Sequence, residues 1–226
     1  NATRLSYSIL GEADNFFSEI TEAKDAHQSS LIWISNTNRD AASILANTPA
    51  RVVIISQDTV VNDFCSLASV VLTKDPRLMF CRLMSLLYDK PHTFEQVSQL
   101  EKHKSSAKIL AGVCLAKNSF LGACTIHENA IIYPDVSIYD NVTVGKNCVI
   151  HSGSVLGVDG FGIAKAKNGH YEKIIHIGSL EIGDNVEIFA NVSIARGTLS
   201  KTKILEGCKI NNNCHIAHNV FIGKNT

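Results

Sequence analysis

A spacing of six residues constrains this chain more than any other feature of its sequence. From Ile126 onward, aliphatic side chains recur at Ile132, Ile138, Val144, Ile150 and Leu156. Four residues after most of them stands a small or β-branched one: Ala130, Val136, Val142, Cys148 and Ser154. The period resumes at Ile182, Ile188 and Ile194, and again at Ile204, Ile210, Ile216 and Ile222. Between Ile194 and Ile204 the step is ten residues, one hexapeptide with four added. A helix of about 3.6 residues per turn cannot bring every sixth residue to one face, and a flat sheet has no need of glycine or asparagine so regularly between short strands. A parallel β-helix needs both short strands and tight corners, with one inward aliphatic per side. Its coils would stack about 4.8 Å apart, like neighbouring strands, each inward aliphatic on its counterpart one coil away. Upstream, Ile109, Leu115 and Leu121 keep the period, but Ile126 arrives one residue early, which predicts a distorted or capping first coil.

Before about Leu110 the pattern is different. "LIWIS" (31–35), "RVVIIS" (51–56) and "ASVVLT" (68–73) are short β-rich runs of the kind that become buried strands. Between the first two lies "NRDAASILANTPA". After the third comes "DPRLMFCRLMSLLYD", where Pro76 near the start and Leu78, Arg82, Leu83, Leu86 and Leu87 at helical spacing predict a helix. The expected organisation is a small N-terminal α/β domain with a linker over 1–106, then the β-helix over 107–226. The polar stretch 89–108 forms the boundary, and an excursion without a repeat of its own runs over about 157–181.

The bulk numbers exclude several function classes. Lys+Arg 21 against Asp+Glu 21 leaves no net charge, so nothing points to nucleic acid or an anionic membrane. No apolar run approaches the roughly 20 residues of a membrane-spanning helix, and the first residues lack the order of a signal peptide, which predicts an intracellular, cytoplasmic protein. Cys114, Cys124, Cys148, Cys208 and Cys214 stand among small and aliphatic residues without metal-ligand spacing, which predicts buried reduced thiols and no metal.

Within the repeats, "VLGVDGFGIA", "EKI", "IGDNVEI", "ARGTL" and "INNNCHIAHNV" follow one another in an order that resembles the UDP-3-O-acylglucosamine N-acyltransferase family of lipid A biosynthesis. More weakly, "LIWISNTNRDA" and "VVLTKDPRLMF" resemble that family's uridine-binding domain. The resemblance implies a left-handed β-helix, a handedness that parallel connections do not ordinarily take. It implies transfer of a 3-hydroxyacyl group from the phosphopantetheine thioester of acyl carrier protein to the 2-amine of a UDP-linked glucosamine. It also implies a homotrimer with active sites in the clefts between prisms. By the same resemblance His218 is the catalytic base and Asn212 an active-site amide, while Trp33 and Asn36 match the residues that hold the uracil. Asp159 and Phe161, in the "DGFG" loop, are expected to meet substrate.

The chemistry is consistent with those residue types. An amine protonated at neutral pH must lose a proton to attack a thioester, and imidazole titrates in the right range to take it. The oxygen that becomes negative needs N–H donors, which corner backbone can supply. A histidine at a hexapeptide corner also reads as a solvated side chain, asparagine is common at corners because it tolerates left-handed backbone, and Trp33 on a strand reads equally as core. His215 is expected to play a surface or supporting role.

Three positions depart from the family pattern: Ala195 and Asn211 stand where acids are usual, and Phe189 where glycine is. They leave open a divergent acyl- or acetyltransferase for another nucleotide sugar, or a non-catalytic nucleotide-sugar-binding scaffold. The sequence ends five residues into a hexapeptide at "FIGKNT", and the resemblance implies further coils carrying another histidine and the acyl-chain contacts.

Overall fold

The computed structural model describes residues 5–59, 68–88 and 106–226. They fall into two compact units, one of residues 1–89 with 163–175 and the other of residues 90–162 with 176–226. Most of the expected linker lies outside the described residues.

The first unit holds a five-stranded sheet. Its strands are β1 (Tyr7–Gly11), β2 (Glu19–Ile20), β3 (Ser30–Trp33), β4 (Val52–Ser56) and β5 (Ser69–Thr73), in the spatial order β1-β5-β4-β3-β2. β2 to β5 run parallel, and β1 pairs antiparallel with β5. Every residue of β4 is buried, the signature of a parallel strand covered on both faces. Ile32, Ile34, Val53, Ile55 and Val70 pack on one face with Ala41 and Leu45 of α1 (Ala41–Asn47). The opposite side chains include Trp33, whose ring stacks on Phe80 of α2 (Pro76–Leu87) at 5.3 Å between centroids. Helix α2 starts where the sequence predicts. Pro76 sits in its first turn, and the Asp75 carboxylate accepts the Leu78 amide at 2.9 Å.

The three runs read as strands are strands. β1 and β2 were not anticipated, because β1 is exposed along its length and β2 has only two residues, so neither carries an apolar alternation. The excursion also holds regular structure. Ile163–Lys165 and Tyr171–Lys173 form an antiparallel hairpin that belongs to this first unit. There Arg82 of α2 grips Glu172 with its Nε at 2.9 Å from Oε2 and an Nη at 2.6 Å from Oε1, and Arg77 Nε donates to the Ile163 carbonyl at 3.0 Å.

The second unit is a parallel β-helix of hexapeptide repeats with three faces. One face has six strands: Lys108–Ile109, Thr125–Ile126, Val142–Val144, Ser179–Ile182, Lys201–Ile204 and Phe221–Ile222. A second has Cys114–Leu115, Ile131–Ile132, Val149–Ile150, Glu187–Ile188 and Lys209–Ile210. The third has Phe120–Leu121, Ser137–Ile138, Val155–Val158, Ser193–Ala195 and His215–Ile216. The periodic aliphatics stack in register: Ile126 on Val144, Val144 on Ile182, Ile182 on Ile204, and Ile204 on Ile222. Together with the small residues at the corners they make one continuous core.

The first coil is less irregular than its spacing suggested. Ile109, Leu115 and Leu121 pair in register with Ile126, Ile132 and Ile138, and the missing residue is taken up at the corner over 122–124, where the Cys124 amide donates to the Gly122 carbonyl. Asn129, Asn147, Asn185, Asn191, Asn213 and Asn219 turn corners at positive φ, which explains their regular recurrence. Burial raises the thiols of Cys124 and Cys148 to about 11, whereas Cys114, expected to be buried, is exposed. Among the described residues, no helix is long and apolar enough to cross a membrane.

Candidate active site

His218 lies two residues past Ile216, at the corner that leads from the third face to the six-stranded face. One coil earlier the same corner holds residues 196–200, which include the four added residues between Ile194 and Ile204. One coil earlier again it holds the departure and return of the excursion, 159–162 and 176–178. The two irregularities of the repeat and the candidate base are therefore stacked at one corner.

The ring of His218 is held from three directions. Its Nδ1 lies 3.2 Å from Thr198 Oγ1. The ring of His176, 1% exposed, meets it edge-on at 5.0 Å between centroids and 71° between planes. Gly160 lies flat against it, so close that a Cβ there would stand 2.5 Å from His218 Cδ2. The residue as a whole is half-buried.

The loop expected to meet substrate divides into two parts. Asp159 is mostly buried, with Oδ1 at 3.9 Å from Nε of Arg196. Arg196 is itself buried and donates that Nε to the Gly157 carbonyl at 2.6 Å, fixing the loop from below. Phe161 is 82% exposed, an aromatic face offered at the rim of the corner.

Asn212 stands elsewhere. It belongs to the corner between the second and third faces, and its Oδ1 accepts the Ala190 amide at 2.9 Å. Asn211 shares that corner, with its Oδ1 accepting the Asn212 amide at 2.8 Å. His215 points outward from the third face beside Ser193 and is exposed. Ala195 is fully buried at the end of its strand. Phe189 fills its corner by stacking on His151 at 5.1 Å, His151 stacks in turn on Tyr133 at 4.9 Å, and Glu187 Oε1 lies 3.0 Å from His151 Nε2.

In the first unit, Asn36 lines a polar cleft of about 500 Å³ at the carboxyl ends of β3 and β4, with Ser35, Arg39, Ser56, Asp58 and Thr59. Ligands favour that end of parallel strands. Trp33 is not among the cleft's lining residues and has one ring face on Phe80. His176, Arg196, Thr198 and Gly160 were not singled out in the sequence, although "DGFG", "ARGTL" and the return of the excursion contain them. The four-residue addition at a fixed corner was the available signal.

The bacterial transferase hexapeptide family (six repeats) matches residues 123–157. The UDP-3-O-acylglucosamine N-acyltransferase of Coxiella burnetii is 29% identical over the whole of this chain and 70% of its own length. Those of Pseudomonas putida and Polynucleobacter asymbioticus are 49% and 42% identical over 45% and 51% of this chain. These two matches span about a third of the relatives' own length, 29% and 34%. Among solved structures, the UDP-N-acetylglucosamine acyltransferase of Francisella novicida is similar at 25% identity, covering 53% of this chain and 45% of its own, with a TM-score of 0.34.

Proposed function

We propose that this chain, which belongs to the UDP-3-O-acylglucosamine N-acyltransferase family of hexapeptide-repeat proteins, transfers a 3-hydroxyacyl group from acyl carrier protein to the 2-amine of a UDP-3-O-acylglucosamine, with His218 as general base. The observation that carries this reading is the corner at which His218, held by Thr198, faces the same side as the Asp159–Phe161 loop.

In the reaction the amine nitrogen attacks the thioester carbonyl while His218 Nε2 takes a proton from it. The carbonyl oxygen becomes an oxyanion, stabilised by corner backbone amides. Collapse of the tetrahedral intermediate breaks the C–S bond, the imidazolium returns its proton to the departing sulfur, and an amide and a free thiol result. Phe161 supplies an apolar surface for substrate, and Asp159 with Arg196 keeps the loop in place. The cleft around Asn36 takes the uridine.

Asn212 and His218 occupy different corners of one copy, an arrangement compatible with sites shared between the copies of a homotrimer. The neutral residues at 195 and 211 do not remove the base, since Thr198 rather than either of them meets its Nδ1.

The test is turnover of acyl carrier protein thioester and UDP-3-O-acylglucosamine. His218→Ala is expected to lower kcat by about 10²- to 10⁴-fold, the usual worth of a positioned base. Unchanged turnover in that variant would sink the assignment, and a monodisperse active monomer would rule out the shared site.

A further inference from the structure

We infer that Thr198 is a positioning residue. Its hydroxyl accepts a hydrogen bond from Nδ1–H of His218 and so holds the imidazole in the tautomer whose lone pair lies on Nε2. The inference rests on reading His218 as the base, but it makes a statement about the ring that can be checked without any turnover.

The geometry that carries it is the way Thr198 is itself fixed. Its amide donates to Asn219 Oδ1 at 2.7 Å, so the residue next to His218 in sequence holds the backbone of the residue that meets its ring. Its carbonyl accepts the amides of Ile177 at 2.9 Å and Gly178 at 3.2 Å, where the excursion returns to the β-helix. Both backbone groups of Thr198 are thus committed, and its Oγ1 is delivered 3.2 Å from Nδ1. The surrounding backbone is packed too tightly for a side chain at Gly178, where a Cβ would stand 2.5 Å from the Gly197 carbonyl oxygen. Thr198 lies in the corner that carries the four residues added between Ile194 and Ile204.

A neutral imidazole has one donor and one acceptor nitrogen, and the partner of one nitrogen sets the state of the other. In hydrolytic triads a buried acid performs this task. Here a hydroxyl takes its place: it fixes ring orientation and tautomer without adding a negative charge beside the base. The edge-on ring of His176 and the backbone of Gly160 limit rotation but do not choose between tautomers.

The test uses the chain with ¹⁵N-labelled histidine. Nitrogen chemical shifts of the neutral ring, assigned by comparison with His218→Ala, report which nitrogen carries the proton. Nδ1–H is expected in the unaltered protein, and a shift toward the Nε2–H form in Thr198→Val, which keeps the shape of the side chain. In turnover, Thr198→Val should lower kcat about 10- to 100-fold with KM within about twofold, and Thr198→Ser should restore most of it. A proton on Nε2 in the unaltered protein, or the same tautomer in Thr198→Val, overturns the inference. If His218→Ala keeps full turnover, the catalytic reading fails while the nitrogen shifts still decide the role of Thr198.

Discussion

Gly160 carries no side chain because the ring of His218 occupies the space where one would go. The nearest atom to an added Cβ, His218 Cδ2, would be at 2.5 Å, and Cβ and Cγ of the same side chain at 2.8 Å, so the side chain must move or the loop must lift. Either shift misplaces Nε2, and a misplacement of about 1 Å can cost on the order of 10²-fold in rate. Gly160→Ala is therefore expected to fold and, with His218 read as the base, to lose turnover by about 10- to 100-fold. A steady-state assay alongside circular dichroism checks this, and full activity in a folded variant would show that the ring tolerates the displacement. The glycine is a requirement of contact and not of backbone angle.

The corners are the element on which the repeat depends. Each must turn the chain from one face to the next within a few residues, and the recurring solution is an asparagine at positive φ, as at Asn185, whose φ is 58°. Asn185 Oδ1 also accepts from the side-chain Nδ2 of Asn147 at 3.3 Å, which links the same corner in successive coils. A branched side chain pays roughly 1–2 kcal/mol to adopt left-handed backbone, whereas glycine adopts it without strain. Asn185→Val should accordingly lower unfolding free energy in urea by about that amount or more, and Asn185→Gly by clearly less. Equal losses in the two variants would show that the side-chain link, and not the backbone conformation, matters at this corner. The hairpin of residues 163–173 follows different rules, being fastened by Arg82 and Glu172 on α2 and not by any repeat.

At the scale of the molecule, each unit carries a carboxylate held below its ordinary value. Hydrogen bonding to Arg82 lowers Glu172 from 4.5, and the hydrogen bond with His151 lowers Glu187 from 4.5 with Lys209 adding to it. A carboxylate depressed in the folded state contributes stability that is complete above its unfolded value and is lost as pH falls through the folded one. Both units should therefore keep their stability at neutral pH and lose part of it below about pH 4.5. Glu172→Gln should flatten that acid limb for the first unit, and Glu187→Gln for the second. Thermal unfolding followed across pH measures it, and an acid limb unchanged in both variants would mean that other carboxylates dominate.

The period of six was enough to establish a β-helix, its inward aliphatics and its corner asparagines, because each coil repeats the same local demand: one apolar residue inward and one residue able to turn. The central strands of the first sheet were equally readable, since burial on both faces leaves an unbroken aliphatic run. Edge strand β1 was not, because a strand that buries nothing has no pattern to show. The resemblance pointed to His218, but not to what holds it. Thr198, His176 and Gly160 are separated from it by between 20 and 58 positions and meet it through coil stacking and the return of a long excursion. Contacts across coils depend on how many residues each corner inserts, a quantity that local preference does not encode. The inward half of each repeat is thus written in its spacing, and the chemistry of the outward corner is assembled only when the coils are laid on one another.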